Sequence, residues 1–413
     1  MGVEACFRNM VKKIFEGLKV IECGNLVSAP YCAKLLGDLG AQVIKVEKLP
    51  IGDEARSHGP FPNDVPDIEQ SGLFLVLNTN KLGITLNLDL PKGKEILKRL
   101  LEDADVFIEN NSPQYMKGRG LDYDSLEKMN PNLVMASITP FGQSGTYRDY
   151  KAYDINCSAA GGVSIGTGDP EREPLTLPLS QGGYQAGATT ATAVILALLA
   201  REKIGRGQHI DVSEVENWGS LHTGPNILTF LYRGVTGVRR GTHGGYFLYP
   251  CEILPCKDGY ISVICAQLEQ WMRLLELMGN PEWANNPRYR DRRAMHEEYP
   301  DEVNALWIPW LKEHTAEELF QMSMAKRIPL TPVYPISLLL DHPHLQEWGF
   351  WAEVDHPRAG QLRYPQGACK FSRSAWQIER AAPLLGEHNE LILCERLGFS
   401  KEGLADLKKE EVI

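Results

Sequence analysis

The stretch from residue 18 to residue 47, LKVIECGNLVSAPYCAKLLGDLGAQVIKVE, constrains the fold more than any other part of this chain. Its two short apolar segments, KVIEC and QVIKVE, are rich in β-branched residues and predict strands. The segment between them has a proline near its start and a glycine near its end, which is typical of a helix. A strand–helix–strand unit of this length predicts a parallel sheet.

The same alternation continues further along the chain. The segments ITLNLDL and DVFIEN predict strands on either side of the amphipathic helix KGKEILKRLLEDA. We therefore expect an α/β fold with a Rossmann-like sheet across residues 15–140. The loop GNLVSAP after the first strand lacks the GxGxxG fingerprint, which disfavours NAD as a cofactor.

Later segments predict further domains. Small residues from Gly187 to Ala200 predict a closely packed helix, and GYFLYPCEILPC and GYISVICA predict two strands joined by a KDG turn. A Gly- and Arg-rich stretch lies between these regions and is typical of a linker or a mobile loop. The predicted organisation is a large Rossmann-like domain beginning at 1–225, a linker with a glycine-rich loop at 226–245, a small α+β domain at 246–335, and a linker that returns to the large domain at 336–413.

Composition excludes several classes of protein. The net charge is −10, and no Lys/Arg stripe offsets it, so we expect neither nucleic acid nor an anionic membrane as a partner. The nine cysteines are scattered without zinc spacing, which predicts free thiols in a reducing cytoplasm and no metal. The N-terminal residues show no signal-peptide pattern, and the longest apolar run is too short to span a bilayer. These features predict a cytoplasmic protein.

Several long motifs occur in a characteristic order: SAPYCAKLLGDLGAQVIKVE, GDEAR, ADVFIEN, GRGLDYDSLEKMNPNLVMASITPFGQSG, YKAYD and GRGQHIDVSEVEN. In this order they resemble the class III CoA-transferases, the CaiB/BaiF family of formyl-CoA and carnitinyl-CoA transferases. The resemblance implies a ring-shaped chain in which a Rossmann-like large domain and a smaller α+β domain are joined by two linkers, and two such rings interlock as a dimer. It also implies CoA thioesters as substrates, with no permanently bound cofactor.

The resemblance also implies an aspartate nucleophile at the start of the small-residue helix. Such a carboxylate attacks the acyl-CoA thioester, and covalent catalysis of this kind divides a difficult exchange into easier steps. The matching position in this chain is Gly183, and glycine offers no carboxylate. The fallback acids are Asp154, where related racemases carry a catalytic aspartate, and Asp169. A racemase needs a second acid–base group, and the matching histidine position holds Asp124.

Three hypotheses follow from the missing aspartate. Some class III enzymes are heteromers of two related chains, of which one carries the aspartate, as in the anaerobic breakdown of toluene through benzylsuccinate. The first hypothesis is such a subunit, which moves CoA from an acyl-CoA such as succinyl-CoA to a carboxylic acid with a paralogous partner. The second is a homomeric CoA-transferase, or an acyl-CoA racemase or isomerase, that uses Asp154 or Asp169. The third is a non-catalytic CoA-binding subunit.

Residue-by-residue matching to the family implies a set of CoA contacts. Lys48 stands where the family places an arginine, Asp89 where it has a basic residue, and Lys117 and Arg119 flank Gly118 at another arginine position. The implied CoA-binding residues are Val27, Ser28, Lys48, Leu86, Leu88, Asn110, Asn111, Arg119, Lys151 and Tyr153. Gly241, Gly244 and Gly245 match a glycine-rich loop that closes over the intermediate, and glycine permits such movement.

Overall fold

Six parallel strands form the central sheet in a computed structural model, which describes residues 13–236, 239–245 and 248–413. The strands are β1 (Lys19–Cys23), β2 (Gln42–Glu47), β3 (Lys81–Thr85), β4 (Val106–Glu109), β5 (Val134–Thr139) and β6 (His209–Ser213). Their order is β3-β2-β1-β4-β5-β6, and every neighbouring pair is parallel. This is the strand order of a doubly wound Rossmann-type sheet, so the predicted α/β fold is confirmed. The sheet also extends beyond the expected residues 15–140, because β6 joins it at β5.

Strands β1, β2, β4 and β5 are mostly apolar on both faces because helices cover both sides of the sheet. Val20 and Val106 belong to one apolar core, and Ile21 and Phe107 belong to another, as the alternation of side chains along a strand requires. The helices of this part of the chain are α1 (Ser28–Asp38), α2 (Gly72–Leu77), α3 (Pro91–Leu101), α4 (Pro113–Gly118), α5 (Tyr123–Leu126), α6 (Asp154–Ala160), α7 (Gln181–Ile204), α8 (Glu214–Trp218) and α9 (Gly224–Arg233).

The long helix α7 packs against α1 through small residues. A β-carbon on Gly187 would lie 2.6 Å from the carbonyl oxygen of Ser28, so only glycine permits this close approach. Among the described residues α7 is also the single helix long and apolar enough to cross a membrane by length and composition. In this fold its Ala186, Ala191 and Val194 are buried in the core beside the sheet. The small residues of α7 are therefore explained by helix–helix packing.

The chain divides into two compact units, of which the second contains Ser164–Leu175 and Gly234–Leu345. Its antiparallel sheet has the order β7-β8-β9, and its core includes Trp271 and Trp307. The elements are β7 (Cys251–Pro255), β8 (Tyr260–Ile264), α10 (Leu268–Leu277), α11 (Arg292–Glu297), α12 (Pro300–Leu311), α13 (Ala316–Lys326), β9 (Leu330–Pro332) and α14 (Ile336–Leu339). No sequence pattern predicted that Ser164–Leu175 belongs to this unit, and the segment predicted as a linker at 226–245 begins inside helix α9.

The C-terminal part of the chain belongs to the first unit from Gln346 onward. Helix α15 (Pro343–Trp348) contains this boundary, and the antiparallel pair β10 (Trp351–His356) and β11 (Gly360–Pro365) and helix α16 (Lys401–Lys409) follow it. The backbone N–H of Thr85 donates to the Asn389 side chain at 2.9 Å, and the N–H of Asn87 donates to the Val412 carbonyl at 2.8 Å. These hydrogen bonds attach the C-terminal segment to the end of β3.

Candidate active site

The order of the central sheet reverses between β1 and β4, and ligands of open α/β sheets bind beyond the carboxyl ends of such strands. Here the Asn110 side chain accepts from the Asn25 N–H at 2.8 Å and donates to the Asn25 carbonyl at 2.7 Å and to Ser28 Oγ at 3.2 Å. Asn111 donates to the Cys23 carbonyl at 2.9 Å. Both asparagines therefore hold the loop between β1 and α1, and their contact with CoA stays a prediction.

The amino end of α7 lies against this loop. Gly183 is buried, and a β-carbon on it would lie 3.0 Å from Val27 Cβ and 3.6 Å from the Ser28 nitrogen. The position that the family resemblance assigns to the nucleophile therefore faces Val27 and Ser28. The space for a side chain at that position is small, because a contact of 3.0 Å is tighter than ordinary van der Waals packing.

Asp154, the first residue of α6, supplies a carboxylate to this helix end. Its Oδ1 accepts a hydrogen bond from the Gly182 N–H at 2.8 Å, which satisfies a donor that the helix itself leaves unpaired. Burial raises the pKa of the Asp154 carboxyl, and the N–H groups of Gly182 and Gly183 partly oppose that rise. The structure thus brings together two residues that the sequence analysis singled out separately, Asp154 and Gly183.

A second acid, Glu214, lies in the same region and was missed by the sequence analysis. It is the first residue of α8, directly after strand β6, and burial raises its pKa. Ser28 and Cys157 donate hydrogen bonds to it, and the charge of Asp154 raises its pKa further. The signal that could have indicated this position is an acid at the carboxyl end of a predicted strand, in HIDVSE.

A third acid, Glu109, is fully buried at the end of β4. Burial raises its pKa to about 7, although hydrogen bonds from Ser137 and Asn111 lower it. Ser137 Oγ also lies 2.9 Å from His209 Nε2, and the pKa of His209 is lowered by burial. Glu109, Ser137 and His209 therefore form a largely buried hydrogen-bonded group, and Glu109 is not exposed at the loop between β1 and α1.

The raised pKa of Glu109 predicts a pH-dependent stability. Because its pKa is about 7 in the folded state and near 4.5 when exposed, the folded protein loses stability as the pH rises through this window. Glu109→Gln removes the ionisation, so its free energy of unfolding relative to wild type should increase by roughly 3 kcal/mol between pH 4 and pH 9. Urea unfolding at both pH values measures this difference. The exposed Glu102→Gln is the matched control, and an equal pH response of both variants would contradict the assignment.

The other residues predicted to contact CoA differ in their exposure to solvent. Lys48, Lys151 and Tyr153 are exposed. The Arg119 guanidinium lies 3.6 Å from the centre of the Tyr115 ring and forms an ion pair with Asp89. Of the two leucines expected beside adenine, Leu88 is half-buried, whereas Leu86 is only 1% exposed and packs in the core. Leu88 is therefore the accessible member of the pair.

The described part of the glycine-rich loop, residues 239–245, is attached within the second unit. The Gly241 N–H donates to the Gly168 carbonyl at 3.0 Å, and the Gly244 N–H donates to the Cys251 carbonyl at 2.6 Å. No such backbone bond is described for Gly245, and the end of the segment, Tyr246 and Phe247, lies outside the described residues. Closure of this loop over a ligand stays a prediction.

The other fallback acid, Asp169, serves a turn. Its Oδ1 accepts from the Glu171 N–H at 2.8 Å, an arrangement typical of aspartate in turns. It belongs to the second unit, whereas Asp154 and Gly183 belong to the first. Across the described ranges, no group of three or more His, Cys, Asp or Glu side chains is arranged to hold a metal ion.

Comparison with known proteins identifies the chemistry of this fold. The model of CoA-transferase family III matches residues 15–389. The chain belongs to this family. Its members are enzymes that transfer CoA, so the chain is a class III CoA-transferase by family, and CoA thioesters are its class of substrate.

Named relatives of this class III CoA-transferase span nearly its whole length. It is 33% identical to the succinyl-CoA–L-malate CoA-transferase beta subunit of Chloroflexus aurantiacus, over 96% of this chain and 97% of the relative. It is 28% identical to the human succinyl-CoA:glutarate CoA-transferase, over 97% and 90% of the two chains. A crystal structure of a CaiB/BaiF family protein from Brucella suis matches with a TM-score of 0.83 and 28% identity, over 92% of this chain and 98% of that one.

Proposed function

We propose that this chain is one subunit of a heteromeric class III CoA-transferase and that a paralogous subunit supplies the nucleophilic aspartate. The observation that carries the proposal is the buried Gly183 at the amino end of α7, which faces the loop between β1 and α1 without a carboxylate of its own. A relative that is itself named a beta subunit supports an assembly of unlike chains.

The exposed apolar surface of helix α9 supports the proposal of a partner chain. Its apolar side chains face solvent in the single chain, and Tyr232 is 82% exposed. Soluble proteins rarely leave such an apolar surface uncovered, and an extended one typically marks an interface. We propose that the partner covers it in an interlocked dimer. The exposed apolar side chains of α9 are Ile227, Leu228, Phe230, Leu231 and Tyr232.

We propose succinyl-CoA as the donor and a dicarboxylic acid as the acceptor. Two relatives carry the names of enzymes that use succinyl-CoA, with malate or glutarate as the second acid. An aryl-substituted dicarboxylate such as benzylsuccinate, formed in anaerobic aromatic degradation, is the acceptor to test first. We also propose that the enzyme is cytoplasmic, and the net charge of −10 disfavours binding to nucleic acid. CoA would contact the loop at Val27 and Ser28 and the exposed Lys48, Lys151 and Tyr153.

The test is to express this chain alone, a paralogue with aspartate at the position of Gly183 alone, and the two together. We expect CoA transfer from succinyl-CoA to the acid in the co-expressed complex, at least about 10³-fold faster than with this chain alone. Asparagine in place of the partner's aspartate should abolish the gain. Turnover of this chain alone at an ordinary enzymatic rate, about 1 s⁻¹ or more, would overturn the proposal. CoA binding without turnover in every pairing would also overturn it, in favour of a non-catalytic subunit.

A further inference from the structure

The space above Gly182 is shared by two polar side chains from different helices. A β-carbon on Gly182 would clash with Asp154 Oδ1 and would lie 2.5 Å from Trp218 Nε1. Only glycine therefore allows the carboxylate and the indole N–H to approach the same point at the start of α7. Because Gly182 has no side chain, the Asp154 carboxylate occupies the space beside it and accepts from its N–H. Asp154 thus places a carboxylate at the start of α7, where the helix has none of its own.

The indole N–H of Trp218 has no hydrogen-bond acceptor among the described residues. The side chain is 0% exposed, so water does not reach this donor either. A buried donor without an acceptor costs about 1–3 kcal/mol, and such groups are few in native proteins. An oxyanion hole consists of N–H donors that point to the oxygen on which negative charge develops in the transition state. An N–H group that has no acceptor in the unreacted protein can serve as such a donor. Asp154 Oδ1 and Trp218 Nε1 lie on either side of the point that a β-carbon on Gly182 would occupy, within 2.5 Å of it.

We propose that Asp154 is an acyl-accepting carboxylate of this chain's own, and that the N–H groups of Gly182, Gly183 and Trp218 form the oxyanion hole for its γ-carboxyl group. This inference goes beyond the proposed function, because the heteromer then holds two different covalent sites: the partner's aspartate and Asp154. The long helix α7 supplies two of the three donors, and its amino end favours negative charge.

The chemistry at this site balances without any proton or redox partner. The free oxygen of the Asp154 carboxylate attacks the acyl carbon of acyl-CoA, the C–S bond breaks, and CoA leaves as a thiolate with the electron pair. The product on the enzyme is a mixed anhydride. The thiolate then attacks the γ-carbon of Asp154, the acyl group leaves as a carboxylate, and an Asp154 thioester with CoA remains. During this second attack the negative charge lies on Oδ1, which already accepts from the Gly182 N–H and shares the space beside Gly182 with the unpaired Trp218 N–H.

The same hydrogen bonds make the first attack slow. Oδ1 already accepts from the Gly182 N–H at 2.8 Å, and a carboxylate stabilised in this way is a weaker nucleophile. Burial opposes this effect, because it raises the pKa of Asp154. We therefore expect Asp154 to react with acyl-CoA in a single, slow turnover, far below the rate of the complex with the partner. Stoichiometric modification is the observable consequence.

The test uses the full chain without a partner, incubated with succinyl-CoA and then treated with hydroxylamine. Hydroxylamine converts an aspartyl anhydride or thioester into a hydroxamate, which peptide mass spectrometry locates. We expect the hydroxamate at Asp154, up to one per chain, and none in Asp154→Asn. Trp218→Phe keeps an aromatic side chain, although a smaller one, and removes the N–H donor, so it should slow the labelling by about 10–10³-fold. Trp271→Phe, a buried tryptophan of the second unit, is the matched control and should label like wild type.

The outcomes separate this inference from the proposed function. Labelling of another acid, such as Glu214, or no labelling of a chain that melts at the wild-type temperature would overturn the role of Asp154. Labelling of Trp218→Phe at the wild-type rate would overturn the oxyanion hole. Neither result bears on the proposal that a partner is required, which the co-expression experiment tests. Conversely, a hydroxamate at Asp154 in the isolated chain would stand even if no paralogue restored steady-state turnover.

Discussion

Gly183→Asp should give a chain that transfers CoA without a partner, at a rate at least about 10²–10³-fold above that of the wild-type chain alone. The substitution puts a carboxylate at the amino end of α7, beside the loop between β1 and α1. Steady-state assay with succinyl-CoA and a dicarboxylic acid measures the gain. Gly183→Asn has nearly the same size and lacks the nucleophile, so it should show no gain.

The fit of this new side chain depends on Val27. Because Val27 Cβ lies 3.0 Å from the site of the added β-carbon, Gly183→Asp should lower the free energy of unfolding by about 1–3 kcal/mol. Val27→Ala in the same chain should recover part of that stability and preserve or increase the gained activity. If both aspartate variants fold and neither transfers CoA above the rate of Gly183→Asn, the absent carboxylate is not what limits this chain.

Glu22→Gln should lower the free energy of unfolding by about 3–5 kcal/mol. The carboxylate of Glu22 lies 2.7 Å from Lys45 Nζ and 2.7 Å from Lys81 Nζ, and all three side chains are fully buried within the sheet. Burial alone would raise the pKa of Glu22, but the two lysines outweigh it and hold the pKa below its usual value. Loss of this charge leaves two buried cations with fewer partners, since Asp53 contacts only Lys45 in this group.

Urea unfolding at pH 7 measures the effect, with the exposed Glu95→Gln on α3 as the control. The control should change stability by no more than about 0.5 kcal/mol. The lowered pKa of Glu22 also fixes the sign of the pH dependence: its stabilisation is present above the pKa of the unfolded chain and is lost as the pH falls through the folded value. A loss under about 1 kcal/mol at pH 7 would show that the lysines find other partners.

Much of the fold could be predicted from local pattern. The segments KVIEC and QVIKVE became the adjacent parallel strands β1 and β2, because β-branched apolar runs bounded by a helix have few alternative arrangements. The small-residue helix predicted at Gly187–Ala200 extends to Gln181–Ile204, since helix ends are weakly specified by composition. Lys45 and Lys81 interrupt the apolar strands, and their buried ion pairs with Glu22 are invisible without the sheet order.

The candidate site was less accessible to sequence reasoning. Asp154 and Gly183 were both singled out, but no local rule places a residue of α6 against the start of α7. Trp218 is the last residue of α8, the short helix after β6. Its proposed role depends on the lack of a hydrogen-bond acceptor for its indole N–H, which only the three-dimensional structure reveals. Long-range contacts of this kind are set by tertiary packing, which local patterns do not encode.

The attachment of the C-terminal segment to β3 has a consequence for biosynthesis. Strand β3 is the outermost strand on its side of the sheet, and Asn389 and Val412 satisfy backbone groups at its end. Asn389 lies 304 positions after Thr85 in the chain, so this edge of the nascent sheet stays open until most of the intervening sequence has been synthesised. Removal of the segment that contains Asn389 and Val412 should therefore leave the end of β3 without these partners and impair maturation of the polypeptide.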